Sequence, residues 1–199
     1  MEFFILISFF IVAISFLLLF YYLLPKRDSL DTTHIPDSYF ISNQNRIDLQ
    51  KKYECAALSC AYLLRHIGVE ADGNKLYEHF PRKLITGVVA PKGIILFFKR
   101  RGYKLSFVRG DINTLKKRIS NGLPVIAFVK VFPNKNYLHY VPVIGYDKDQ
   151  FYFADSLKYT INCHENNYNR ITPVNEFEKV WKTQIPFCTN TYFVLNDIF

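Results

Sequence analysis

Half of the 199 residues are hydrophobic, which provides one domain with a substantial core and excludes a disordered or low-complexity chain. Lys and Arg number 25 against 17 Asp and Glu, yet the basic residues fall only in short clusters such as Lys99-Arg100-Arg101 and Lys116-Lys117-Arg118. With no zinc-finger or helix-turn-helix signature beside them, these read as solvated helix ends, and nucleic acid is not an expected partner. The four cysteines, Cys55, Cys60, Cys163 and Cys188, show no CxxC or Cys/His spacing for zinc, so no metal and no cofactor is expected.

The run Phe3 to Leu24 is apolar apart from Ser8, Ser15 and the hydroxyls of Tyr21 and Tyr22, and about 20 such residues cross a bilayer as a helix. No basic residue precedes the run and no small-x-small site follows it, so residues 1–27 read as a retained single-pass anchor rather than a cleaved signal peptide. Every Lys and Arg lies beyond the span, and so does every acid except Glu2, leaving the remainder formally one charge more positive than the whole chain's +8. Lys26, Arg27, Arg46, Lys51 and Lys52 flank the span on one side. That asymmetry predicts a cell-membrane protein whose domain stays in the cytoplasm and rests on anionic lipid, with the bilayer as partner through residues 3–24.

Residues 28–47 are polar, interrupted by Pro36 and without period, and are read as a stalk; the domain is expected over 48–199. Cys55 opens a helix-patterned run, Cys55-Ala56-Ala57-Leu58-Ser59-Cys60-Ala61-Tyr62-Leu63-Leu64, that stops at Gly68. Asn74 to Phe80 follows as a short helix after Asp72, and Pro91 begins another that ends at Gly102, with a wide apolar side suited to packing on the Cys55 helix. Tyr103 to Val108 alternates like a strand, and Asp111 to Thr114 caps an amphipathic helix that ends at Asn121-Gly122.

The second half is rich in Val, Ile, Phe and Tyr. Leu123 to Phe132, Leu138 to Tyr146 and Gln150 to Ala154 are predicted strands, the last two forming a hairpin through Asp147-Lys148-Asp149. A polar segment, Ser156 to Arg170, leads to a helix opened at Thr172-Pro173 that carries Phe177, Val180 and Trp181, and Tyr192 to Leu195 closes the chain as a strand. Helices first and an antiparallel sheet second define an α+β class.

Cys55 and Cys60, about 7.5 Å apart in rise along one helix, cannot form a disulfide. A cysteine at a helix N-terminus meets unpaired N–H groups and the positive end of the dipole, which favour the anionic sulfur that acts as nucleophile. The competing reading is an inert core thiol. The hairpin tips the balance: His139 near the start of one strand and Asp155 at the end of the next come to the same end of an antiparallel pair. An imidazole that shares the thiol proton and a carboxylate that orients the imidazole complete a relay.

Glu54-Cys55-Ala56-Ala57 on its helix, then Leu138-His139-Tyr140-Val141-Pro142-Val143-Ile144-Gly145-Tyr146-Asp147, then Phe153-Ala154-Asp155-Ser156, resemble the C39-like branch of the papain-like cysteine peptidases. The likeness covers Asp48 to the C-terminus and implies the papain-like fold, a peptide or protein substrate, Cys55 as nucleophile, His139 as general base and acid, and Asp155 as the orienting acid. It also implies that Gln50 donates to the oxyanion hole beside the Cys55 N–H. Two places depart from the family pattern: Ala56 stands where a glycine is usual, and Gln50 lies five rather than six residues before the cysteine. The resemblance therefore implies a membrane-anchored cysteine peptidase, for leader-peptide or other peptide processing. The alternatives are a papain-like acyltransferase and an inactive peptide-binding module. No partner chain is identifiable.

Overall fold

A computed structural model describes residues 2–197. In chain order its elements are α1 (Glu2–Leu23), β1 (Lys26–Arg27), β2 (Tyr39–Phe40), α2 (Cys55–His66), α3 (Gly73–Glu78), α4 (Pro91–Lys99), β3 (Lys104–Arg109) and α5 (Ile112–Ile119). These are followed by β4 (Val125–Phe132), β5 (Lys135–Tyr146), β6 (Gln150–Phe153), β7 (Arg170–Pro173), α6 (Val174–Trp181) and β8 (Thr191–Asp197). One eight-stranded sheet runs in the order β1-β3-β8-β4-β5-β6-β7, with β2 pairing β5 off that path. Among the described residues only β1 runs parallel to its neighbour, β3. Helices packed on an antiparallel sheet make the expected α+β architecture.

Local chemistry explains the element ends. The Asp72 carboxylate accepts from the N–H groups of Asn74 and Lys75 to start α3, Asp111 and Thr114 form a reciprocal capping box on α5, and Pro91 occupies the first turn of α4. α2 ends as expected at Gly68, whose left-handed φ of +82° lets the chain turn back, and its N–H bonds to the Arg65 carbonyl.

β4 shows why the sheet is the centre of the core. Its apolar residues alternate between two layers: Val125, Ala127 and Val129 pack with α5 and α6 on one face, while Ile126 and Phe128 pack with α2 and α4 on the other. A strand covered on both faces has no polar side, which is why its sequence is a continuous apolar run. Fully burying a side chain such as Leu63, Phe97 or Phe177 stabilises the fold by about 1.5–3 kcal/mol each.

Residues 28–47, read from sequence as a stalk, lie against the domain. Lys26–Arg27 adds to the sheet edge as β1, and the buried Asp28 carboxylate receives Arg118 at 2.8 and 2.9 Å and the Tyr192 hydroxyl at 2.7 Å. Tyr39–Phe40 pairs Tyr146 and Gly145 of β5, and Ile41 enters the core. The attachment uses single residues at irregular spacing, so no periodicity marks it. At Gly145 an added Cβ would stand 2.6 Å from the Phe40 ring, so only glycine admits this close strand approach.

α1 is helical from Glu2 to Leu23, with Phe4, Leu6, Phe9, Phe10 and Val12 exposed. The side chains at 2, 3, 5 and 17–23 lie outside those described, and among the described residues no helix is long and apolar enough to cross a membrane. The expected span rests on the sequence.

Candidate active site

Cys55 is the first residue of α2, half-buried where the helix meets the sheet. The small Ala56, Ala57 and Ala61 are buried and let α2 lie close to the strands. The buried Ser59 hydroxyl donates to the Tyr140 carbonyl at 3.0 Å, locking the Cys55 helix to β5 one residue beyond His139. At the N-cap Glu54 makes no side-chain cap. Its carboxylate folds back to accept from the N–H groups of Lys51 at 3.0 Å and Lys52 at 2.6 Å, which shapes the loop that leads into Cys55.

His139 and Asp155 are both fully buried, and Asp155 Oδ1 pairs with His139 Nε2 at 2.8 Å. The β5–β6 hairpin brings them together as the strand reading predicts, with the Ala154 N–H bonded to Pro142 O at 3.0 Å just before the carboxylate. Since Nε2 faces Asp155, the ring nitrogen left for Cys55 is Nδ1. Burial by itself pulls the His139 pKa down. The Asp155 charge and hydrogen bond outweigh that effect, a hydrogen bond with the Cys55 side chain adds to them, and the imidazole is pushed up to about 9. For Asp155 burial works in the opposite sense, and the charge and hydrogen bond of His139 together with Arg170 and the Leu157 N–H hold the carboxyl well below the usual carboxylate range.

The Asp155 carboxylate is satisfied on every side. Oδ1 also accepts from the Leu157 N–H at 2.9 Å, and Oδ2 accepts from the Thr160 hydroxyl at 2.8 Å and the Arg170 guanidinium at 2.9 Å. The Asn169 side chain clamps the Asp155 backbone, accepting from its N–H at 2.7 Å and donating to its carbonyl at 2.8 Å. Thr160, Asn169 and Arg170 were not singled out by sequence. They sit in the polar segment from Ser156 to Arg170, whose many hydrogen-bonding side chains are its only signal.

Gln50 lines the same cleft as Cys55. Its Oε1 accepts from the Ser156 hydroxyl at 2.8 Å, its Nε2 donates to Lys52 O at 2.8 Å, and its backbone N–H bonds to Ser156 O at 2.9 Å. An amide nitrogen carries two hydrogens, so the bond to Lys52 leaves one N–H of Gln50 available.

The cleft itself holds about 430 Å³, with Phe128, Leu138, Tyr140, Val89 and Cys188 among its walls. Phe128 and Tyr140 stack at 4.8 Å, and the Tyr140 hydroxyl donates to Val89 O at 3.1 Å, fixing one wall. All four cysteines are free. Burial pushes the Cys60 and Cys188 thiols up, which makes them poor nucleophiles. Among the described residues no group of three or more His, Cys, Asp or Glu is placed to hold a metal.

A cysteine opening a helix beside a buried strand-borne His–Asp pair is the arrangement of the papain-like cysteine peptidases. Comparison with known proteins agrees. The model of the Peptidase_C39 like family matches residues 38–184, and the chain belongs to that family. Among solved structures, a proposed C39-like peptidase from Bacillus anthracis superposes with a TM-score of 0.62 at 17% identity, covering 82% of this chain and 99% of that one. The peptidase domain of Streptococcus ComA, a bi-functional ABC transporter involved in quorum sensing, gives 0.59 at 18% identity, with 78% and 100% covered. Xylellain, a cysteine protease from Xylella fastidiosa, gives 0.59 at 14% identity, with 88% and 96% covered. Identities this low speak for the fold alone. A search of curated proteins returned no match.

Proposed function

We propose that the chain is a membrane-anchored peptidase that cuts peptide bonds through Cys55, His139 and Asp155, with Gln50 at the oxyanion hole, and that residues 3–24 hold it in the cell membrane with the domain on the cytoplasmic side. The observation that carries this reading is the buried His139–Asp155 pair, with Cys55 at the start of α2 close enough to help raise the imidazole pKa. His139 takes the thiol proton, and Cys55 Sγ attacks the scissile carbonyl carbon. The resulting oxyanion receives the Cys55 N–H and the spare Gln50 Nε2 hydrogen. His139 returns its proton to the departing amine, leaving a thioester. Water then gives a proton to His139 and attacks the thioester carbonyl, and the thiolate leaves and is reprotonated. Asp155 stays ionised throughout and keeps the imidazole in the productive orientation.

The test incubates the chain with an irreversible electrophilic peptide probe beside Cys55→Ala, Cys60→Ala and His139→Ala, read by intact mass and peptide mapping. A single modification at Cys55 that His139→Ala abolishes or greatly slows supports the peptidase. Labelling of Cys55 that is equally fast without His139 overturns it in favour of a peptide-binding module.

A further inference from the structure

Two tight turns flank the mouth of the cleft, and both present apolar tips. In the first, the Gly87 N–H bonds to Leu84 O across Leu84-Ile85-Thr86-Gly87, closed behind by the Lys83–Val89 bridge. Ile85 at its tip is fully exposed, and Leu84 is 54% exposed. In the second, the Cys188 N–H bonds to Ile185 O across Ile185-Pro186-Phe187-Cys188. Phe187 adopts a left-handed φ of +66° there, a conformation costly for a bulky side chain, and its ring is exposed. Turn tips are ordinarily Gly, Pro, Asn, Asp or Ser. Pro186 fits that rule, whereas Leu84, Ile85 and Ile185 are apolar and exposed, and an apolar surrounding would bury them.

The same face is where α1 joins the domain. Leu24, the residue after α1, lines the cleft and also a second groove on its other side, where Lys26, Lys92 and Lys104 stand beside Ser106. The join is rigid, because β1 and the Asp28–Arg118 pair attach the next residues to the sheet. The end of an apolar helix, an apolar collar and a lysine-lined groove thus share one side of the molecule, in the arrangement that an anionic bilayer satisfies: acyl chains for the collar, phosphates for Lys26 and Lys104.

We propose that this face is a membrane-docking surface: the turns at Leu84–Ile85 and Ile185–Phe187 enter the bilayer interface, the cleft opens onto the lipid surface, and the substrate is a peptide segment lying there or emerging from the membrane. The inference deepens the anchored-peptidase reading and rests on it. It also explains why the residues following α1 are bound to the domain rather than left as a tether. A flexible stalk would let the cleft face any direction.

The test places the full chain in vesicles of phosphatidylcholine and phosphatidylglycerol whose acyl chains carry bromine near the headgroup. Trp181 is the chain's only tryptophan and is buried, so a second one reports its own surroundings. Ile85→Trp is compared with Phe9→Trp within α1 and with Phe40→Trp, which sits at the far end of β5, roughly 20 Å along the strand from the cleft. Bromine quenching of Ile85→Trp at least twofold stronger than that of Phe40→Trp is expected. Quenching of Phe9→Trp without that of Ile85→Trp overturns the docking surface and leaves the anchor standing; the reverse removes the span and keeps the surface; loss of both removes both. None of these outcomes depends on whether Cys55 is catalytic. For the substrate class, Ile85→Asp should label with a soluble electrophilic peptide at the parental rate, and with an N-acylated, vesicle-borne version at least tenfold more slowly. Equal slowing of both, or of neither, overturns the membrane-borne substrate.

Discussion

Ser156 and Gln50 are joined twice: the Ser156 hydroxyl donates to Gln50 Oε1 at 2.8 Å, and the Ser156 carbonyl accepts the Gln50 backbone N–H at 2.9 Å. The residue after Asp155 thus also holds Gln50 near Cys55, and the five-residue spacing from Gln50 to Cys55 is accommodated within a loop held by the Glu54 carboxylate. Removing an oxyanion donor typically costs 10²–10³ in kcat, about 2.7–4 kcal/mol. Gln50→Ala should fall in that range, whereas Ser156→Ala, which frees the amide without deleting it, should lower kcat about tenfold with KM little changed. Alkylation by iodoacetamide builds no oxyanion and should proceed at the parental rate in both variants. Slowed alkylation would mean that the substitutions disturb Cys55 itself.

The His139 imidazole, pushed up to about 9, sets the alkaline behaviour. A folded-state pKa above the free value of 6.5 means that protonation favours the fold. That contribution is fully present below 6.5 and is lost as pH rises through about 9. Peptide hydrolysis, which needs imidazolium to protonate the leaving amine, should decline through the same window. Alkylation, which needs no acid, should not decline with it. A hydrolysis profile that falls near pH 6.5 instead would show that Asp155 and Cys55 do not hold the proton on the ring.

Those elements were legible in sequence because local chemistry determines them. The cap at Asp111, the glycine stop at Gly68 and the β-branched and aromatic richness of the β5–β6 hairpin each act within a few residues, and Cys55, His139 and Asp155 were named from pattern and resemblance. The parts that were not legible depend on distant partners. Lys26–Arg27 is too short to show a strand period and becomes β1 only because β3 offers an open edge. Arg170 begins β7 and, at the same time, places its guanidinium 2.9 Å from Asp155, fifteen residues away in the chain. Nothing in the local sequence distinguishes such an arginine from a solvated one.

Arg170 provides a test of how much the Asp155 environment matters. Its side chain is 12% exposed and the carboxylate is wholly buried, so removing the cation leaves a buried charge with one partner fewer, and breaking a buried pair typically costs about 3–5 kcal/mol. Arg170→Gln, which retains a donor, should lose less stability than Arg170→Met. Because the lowered Asp155 pKa favours the fold above the ordinary carboxylate range and the benefit is lost as pH falls, the stability gap between the parent and each variant should be widest near neutral pH and narrow as pH falls. Thermal unfolding from pH 7 down to 3 measures this. Parallel curves for parent and Arg170→Met would show that the guanidinium contributes nothing to the carboxylate.

Asp28 offers the corresponding test for the attachment behind α1. Its carboxylate, 1% exposed, is paired with Arg118, which is 23% exposed, and with the Tyr192 hydroxyl. Burial tends to raise the Asp28 pKa, and the hydrogen bonds from Arg118 and Tyr192 outweigh it, so the ionised form is favoured. Since Arg118 retains some solvent, Asp28→Asn should cost near the low end of about 3–5 kcal/mol, roughly a 6–12 °C fall in Tm for a chain of this size. The double variant Asp28→Asn with Arg118→Met removes the orphaned cation as well and should recover part of that loss. Full recovery or none would each be informative in its own way: full recovery assigns the cost to the stranded guanidinium, and none assigns it to the detachment of β1 from the sheet edge. A parental Tm in Asp28→Asn would refute the claim that this pair fixes the anchor-proximal segment to the domain.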